Sequence, residues 1–378
     1  MTVLTEEQTM LKDAAQAWAA ERAPVTALRA VRSTFAETGF DPQLYAEMVE
    51  MGWTGIIVPE AYGGFDFGYA SFGIVAEQLG RSLTASPLIS SAITAASPII
   101  LGGSETQKSD LLPRIVSGEL IATLALEEGA HYAPRRTALT AERSDGGWRL
   151  NGVKQQVPEG MAAGQLIVVA RTSGAPGDAN GISLFLCPAE APGIGRTALR
   201  QLDSRGAALV KFRDVALPAD ALLGELDNGL PLLEKALDRS RAVLAAEMLG
   251  STIQAFEVTI EYLKTRVQFG KPLGSFQALA HRATDMLGEI ELTRSAVQAA
   301  LHAIDEDSAE VPALVSLAKA LAGQTMRHVA REMIQMHGGI GMTDEHDAGL
   351  YLKRAQAADV AYGNSAFHRE RYAALIGL

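Results

Sequence analysis

Two stretches of this chain carry the side chains best suited to chemistry. The first is Arg266-Val267-Gln268-Phe269-Gly270-Lys271-Pro272-Leu273-Gly274-Ser275-Phe276-Gln277, which sets a guanidinium, two side-chain amides and two phenyl rings close together. Its Gly and Pro residues stop a long apolar pattern running from Leu232 to Thr265, and a second helical pattern starts at Phe276-Gln277. The stretch therefore reads as a joint between two helices. Such a joint is either a plain αα-hairpin with Phe269 and Phe276 packed in the gap, or a ligand site. In the second case Arg266 offers a planar fork to a pyrophosphate and Phe269 flanks a flat ring. The second stretch is Gln335-Met336-His337-Gly338-Gly339-Ile340-Gly341-Met342. A plain C-cap needs one glycine, so three of them after Gln335 favour a ligand-facing turn that a backbone or phosphate can approach closely.

A third candidate is a single carboxylate. Between Ala242 and Phe256 the only ionisable residue is Glu247, and Ser240, Leu244, Glu247, Ser251 and Gln254 share one helix face. A carboxylate on an apolar helix needs a partner or must become neutral. Two roles are open: a structural pair with an arginine of a neighbouring helix, or a general base whose proton affinity is raised by desolvation. Asp238-Arg239-Ser240-Arg241 lies one to two turns earlier, with Arg241 within helical reach of Asp238. At the mouth of a bundle Asp238, Ser240 and Arg241 would hold an anionic or amide group of a substrate.

The elements that position these residues follow from pattern and punctuation. Thr5-x-x-Gln8 and Ser104-x-x-Gln107 are capping boxes, and Asp41-Pro42 is a helix start, so residues 1–118 read as an all-helical domain. Residues 119–225 change texture to short β-rich runs, among them Trp148 to Val153, Leu166 to Arg171 and Ile182 to Leu186. Asp145-Gly146-Gly147 suits a tight hairpin. From 226 to 378 the helical period returns in four long patterns, at 231–266, 276–305, 312–336 and 344–358, which predicts a four-helix bundle. The expected class is α+β, in the order helical, β, helical.

Composition narrows the function classes. The chain has 378 residues, 48% of them apolar, and a net charge of −11, so the basic footprint of a nucleic-acid binder is absent. No uninterrupted apolar run approaches the ~20 residues of a membrane span. Cys187 is the single cysteine and no histidine pair has ligand spacing, which argues against a disulfide or a metal centre. Met1 to Glu21 is acidic and helical where a signal peptide would be basic and then apolar, so a cytoplasmic enzyme without nucleic-acid or membrane partners is expected.

The motifs together resemble the acyl-CoA dehydrogenase family over nearly the whole chain. Arg266-x-Gln-Phe-Gly-x-Pro-Leu-x-x-Phe-Gln277 and Gln335-x-His-Gly-Gly-x-Gly-x-Thr343 are similar to its two C-terminal signatures, and Pro59-Glu-x-Tyr-Gly-Gly64 to its N-terminal loop. The resemblance implies the family's three-part fold, FAD as cofactor, α,β-dehydrogenation of an acyl-CoA thioester and an electron-transfer flavoprotein as acceptor. It further implies a tetramer in which Arg266, Gln268, Phe269, Gln277, Gln335, Gly338 and Gly339 hold the ADP half of a neighbour's FAD. The chain departs from the pattern in its own flavin and base contacts. Tyr362-Gly363-Asn364-Ser365 stands where the family often has Tyr-Glu-Gly-Thr, and Ser240 where a minority carries its base. Leu126-Glu127-Glu128-Gly129-Ala130-His131 and Gln156-Val157-Pro158 replace the middle-domain motifs. These losses resemble the bacterial branch whose two related subunits form heteromers acting on bulky acyl-CoAs such as steroid side chains. By that comparison Glu247 is the best remaining catalytic base. The alternative is a non-catalytic subunit that supplies the ADP pocket to an active paralogue.

Overall fold

The computed structural model describes residues 4–378; Met1 to Val3, the start of the stretch read for a signal peptide, lie outside the described residues. Six helices come first: α1 (Glu6–Arg22), α2 (Val25–Thr34), α3 (Pro42–Glu50), α4 (Gly68–Arg81), α5 (Ala96–Gly102) and α6 (Glu105–Val116). Both capping boxes form, Thr5 with Gln8 and Ser104 with Gln107, and Asp41 accepts from the Gln43 amide with Pro42 in the first turn. Eight strands follow: β1 (Ala122–Ala125), β2 (Thr140–Ser144), β3 (Gly147–Pro158), β4 (Gln165–Arg171), β5 (Ile182–Pro188), β6 (Ile194–Arg200), β7 (Gly206–Pro218) and β8 (Leu222–Leu223). The rest is helical apart from a small hairpin: α7 (Gly229–Thr265), β9 (Val267–Gln268), β10 (Lys271–Pro272), α8 (Gln277–Asp305), α9 (Val311–His337), α10 (Ala348–Val360) and α11 (Ser365–Leu375). The C-terminal bundle thus has five helices, not four. Asn364 caps α11 through the Phe367 amide, after a turn in which Tyr362 and Gly363 both take positive φ.

The helices divide in a way the linear order does not suggest. One compact unit gathers residues up to 28, 69–84 and 241–378; the other gathers 29–68 and 85–240. In the second unit the strands form one sheet in the order β6-β7-β3-β2-β4-β5-β8, with β1 added parallel to β4. Asp145 and Gly146, both at positive φ, close the β2–β3 hairpin between the paired Ser144 and Gly147. Trp148 and Phe185 meet edge to face at 5.0 Å within its core.

In the first unit, α7 is the axis. By length and composition it is apolar enough to cross a bilayer, contrary to the expectation from uninterrupted runs, yet 72% of its most apolar window is buried inside the protein, as in the core helix of a bundle. It crosses α4 at close range. A Cβ on Gly80 would lie 2.0 Å from the Glu247 carbonyl oxygen and one on Gly250 1.8 Å from that of Glu77, so the two backbones touch where neither can carry a side chain. The Ser251 hydroxyl donates to the Gly80 carbonyl at 2.7 Å across the same crossing. At the other end of α4, the Asp305 carboxylate accepts the Tyr69 and Ala70 amides at 2.6 and 2.9 Å and thereby caps the helix. We expect Gly250→Ala to destabilise the protein by about 1–3 kcal/mol through overpacking, despite the better helix propensity of alanine. Equilibrium urea unfolding checks this; an unchanged or raised midpoint would contradict it.

Candidate functional site

The Arg266 stretch is a miniature hairpin on the surface. Gln268 pairs with Lys271 and Val267 with Pro272, leaving Phe269 (φ 54°) and Gly270 (φ 79°) as a two-residue turn with both residues left-handed. Phe269 is 88% exposed, so it does not fill the gap between α7 and α8 as a packing corner would. A bulky non-glycine residue in this region is strained by on the order of 1–2 kcal/mol. Its ring stands edge-on to Phe276 at 6.2 Å, and the Lys271 ammonium sits 4.3 Å from the centre of the Phe276 ring. The polar groups of the motif, Arg266, Gln268 and Gln277, are exposed as well.

The glycine-rich stretch meets this hairpin at its root. Tyr262, one turn before Arg266, stacks on His337 at 4.3 Å, and its hydroxyl donates to the His337 carbonyl at 3.4 Å. α9 ends there. Gly338 takes φ 65° and ψ −136°, a conformation that only glycine adopts readily, and a Cβ at Gly338 or Gly339 would meet nothing within 4 Å. Gln335, Gly338 and Gly339 are exposed. One end of the bundle thus presents a guanidinium, three amides, an unburied phenyl ring and open glycine backbone together. That set fits the ADP half of a dinucleotide: the guanidinium matches a pyrophosphate, the ring a flat base, and the open glycines a close backbone approach.

In the other unit, the Leu126–His131 loop lines a cleft of about 330 Å³ with Ala133, Arg136 and Thr137. The loop is anchored from below. Glu128 accepts the Ala138 and Leu139 amides at 2.7 and 3.0 Å and pairs with the Lys154 ammonium at 2.7 Å, and Lys154 also donates to the Leu126 carbonyl. Burial pushes Lys154 down to about 8, against the pull of Glu128. Nearby, β3 bulges and Gln156 takes φ 50°, which turns Val157 into the core at 1% exposure. Val157 therefore packs in the sheet and offers no face to a ring.

Glu247 has an arginine partner on a neighbouring helix. Both of its oxygens are held by Arg354 of α10, Oε1 by Nε and Oε2 by Nη2, each at 3.0 Å, with the two side chains 3% and 10% exposed. A buried bidentate pair stabilises the charged carboxylate and uses one acceptor site on each of its oxygens. The residues expected to bind substrate lie inside the protein. Asp238, Ser240 and Arg241 are buried; Ser240 donates to the Ala236 carbonyl of its own helix, and the Arg241 Nε donates to the Tyr362 carbonyl at 3.0 Å. Arg241 thus ties α7 to the α10–α11 turn. Lys319, also fully buried, holds that region through the Ala358, Asp359 and Gly363 carbonyls. Arg354, Lys319 and Tyr262 escaped the sequence reading. The available signal was a lone charge in an apolar helix, which says that a partner exists but not which one.

Comparison with known proteins agrees with this layout. Residues 5–119 match the acyl-CoA dehydrogenase N-terminal domain and residues 227–376 its C-terminal domain. A 2-methylacyl-CoA dehydrogenase from Solanum tuberosum is 31% identical over 335 residues, which is 86% of this chain and 80% of that protein. Among solved structures, the steroid ACAD Tcur3481-Tcur3483, as a variant, superposes with a TM-score of 0.88 at 31% identity over 98% of each chain. The ChsE4-ChsE5 complex from Mycobacterium tuberculosis does so with a TM-score of 0.89 at 26% identity, over 100% of this chain and 99% of that one.

The buried pair makes a stability prediction. Arg354→Met strands the Glu247 charge and should cost about 3–5 kcal/mol, whereas Glu247→Met combined with Arg354→Leu should recover most of that loss. Chemical denaturation of the three proteins checks it, and a single variant as stable as the parent would count against the pairing.

Proposed function

The chain belongs to the acyl-CoA dehydrogenase family, an FAD-dependent oxidoreductase by that membership, and on this premise we propose that it works as the subunit without a base in an assembly with a paralogous chain. The observation that carries the reading is the Glu247–Arg354 pair. With Glu247 engaged, Ser240 back-bonded within α7 and Gly363 lacking a side chain, none of the three positions weighed for the base supplies a free carboxylate. The names of two similar structures, each joining two designations and one of them a steroid enzyme, support a heteromer and a bulky acyl-CoA thioester as substrate. An electron-transfer flavoprotein is the acceptor this reading expects.

FAD, when bound, supplies the hydride-accepting chemistry. This chain's part is to bind and orient. Arg266 would neutralise pyrophosphate charge, Phe269 would cover a flat ring, Gln268, Gln277 and Gln335 would supply amide donors and acceptors, and Gly338 with Gly339 would let backbone approach the phosphates. The exposure and strain of Phe269 support its closing against a neighbouring subunit. The proton at the thioester α carbon leaves to a carboxylate of the paralogous chain. Holding the thioester dry and oriented is then a shared task.

Purifying the chain alone and with its paralogue tests this. We expect flavin bleaching by acyl-CoA only in the mixed assembly, and Arg266→Ala should weaken its flavin retention by about tenfold or more, the scale of a lost charge-assisted pair. A lone chain that is yellow and bleaches with acyl-CoA would sink the proposal.

A further inference from the structure

The Gly338–Met342 turn rests on an unusual support. His337 is 4% exposed, stacked on Tyr262, and in contact with His346, whose ring centre lies 4.3 Å away at 47° to it. The hydrogen bonds of the two imidazoles fix their tautomers. His337 Nδ1 lies 2.7 Å from the Met333 carbonyl oxygen, which only accepts, so Nδ1 carries the hydrogen and Nε2 is the place left for a proton. His346 Nδ1 accepts the Ala348 amide at 3.1 Å, so that nitrogen is bare. Ala348 opens α10.

We propose that His337, packed against Tyr262 and His346, is an acid-sensitive support for the Gly338–Met342 turn: a proton on its Nε2 loosens the turn and, with it, the face that receives the cofactor. The second half of this statement rests on the proposed function; the first does not. On the His337 side, burial outweighs the Met333 carbonyl, which favours the charged ring, and His346 adds to the effect of burial, so His337 is held below the ordinary imidazole range. Tyr262 is the titratable group facing it from α7. Asp344, Glu345 and Asp347 are the acidic groups that adjoin His346 in sequence. Because His337 binds its proton less tightly in the fold than in the unfolded chain, its contribution to stability is present above the ordinary imidazole range. It is lost as pH falls through that range toward the lower folded value.

Hydrogen exchange on the flavin-loaded protein, corrected for chemical exchange rates, tests this between about pH 7.5 and about pH 5.5, the span in which histidines change charge. Protection of residues 333–348 should fall by about tenfold on acidification, while that of β4 and β5 holds. His337→Phe, which keeps the stack but cannot be protonated, should flatten the profile; His337→Tyr should do so too and stands in if the first variant folds poorly. Flavin release, followed by fluorescence in the same samples, should track the exchange. An unchanged profile at 333–348, or one as steep in both variants, would overturn the inference. Acid-loosening that the variants abolish while the flavin stays bound would uphold the support and remove the turn from the cofactor face.

Discussion

A carboxylate and a guanidinium buried together constrain this protein more than any motif does. Glu247 sits in the middle of α7, where water cannot solvate it, and Arg354 of α10 meets both of its oxygens. Neither charge can be removed from the interior singly without leaving the other stranded. The pair therefore fixes α10 against α7. It also holds both oxygens of Glu247 in a fixed orientation.

The same logic runs through the rest of this unit. α4 is pressed onto α7 so closely that Gly80 and Gly250 have no room for a methyl group, and Asp305 caps α4 from the end of α8. Arg241 and Lys319 spend their charges on carbonyls around the α10–α11 turn. Interior polar groups here are consumed by structure. At the end of the bundle, by contrast, Arg266, Phe269 and the Gly338–Gly339 backbone are exposed. A strained, exposed phenylalanine on a rigid hairpin is an expensive thing for a monomer to keep and an ordinary one for a subunit.

Much of this was legible in the sequence where the signal is local. The capping boxes, the Asp145-Gly146 hairpin and the change from helical to β period are statements about neighbouring residues, and they appear as read. α11 was missed because two left-handed residues, Tyr362 and Gly363, cut it from α10 and leave a short apolar pattern. Phe269 looked like core by residue type, yet its side chain is set outward by a two-residue turn. The partner of Glu247 was legible only as a requirement. Choosing Arg354 among 33 basic residues takes a long-range contact, and periodicity carries no such information. The grouping of α1 and α4 with the bundle was hidden for the same reason.

The most direct test of the account replaces the charge alone. In the flavin-loaded mixed assembly, Glu247→Gln keeps the shape of the side chain and removes its capacity as a base. Anaerobic bleaching of the flavin by acyl-CoA should then proceed within about threefold of the parent rate, because the proton leaves elsewhere. General-base removal typically lowers such a step by about 10²–10⁴-fold. A loss of that size in an assembly that still holds its full flavin would return Glu247 to the mechanism and contradict the account.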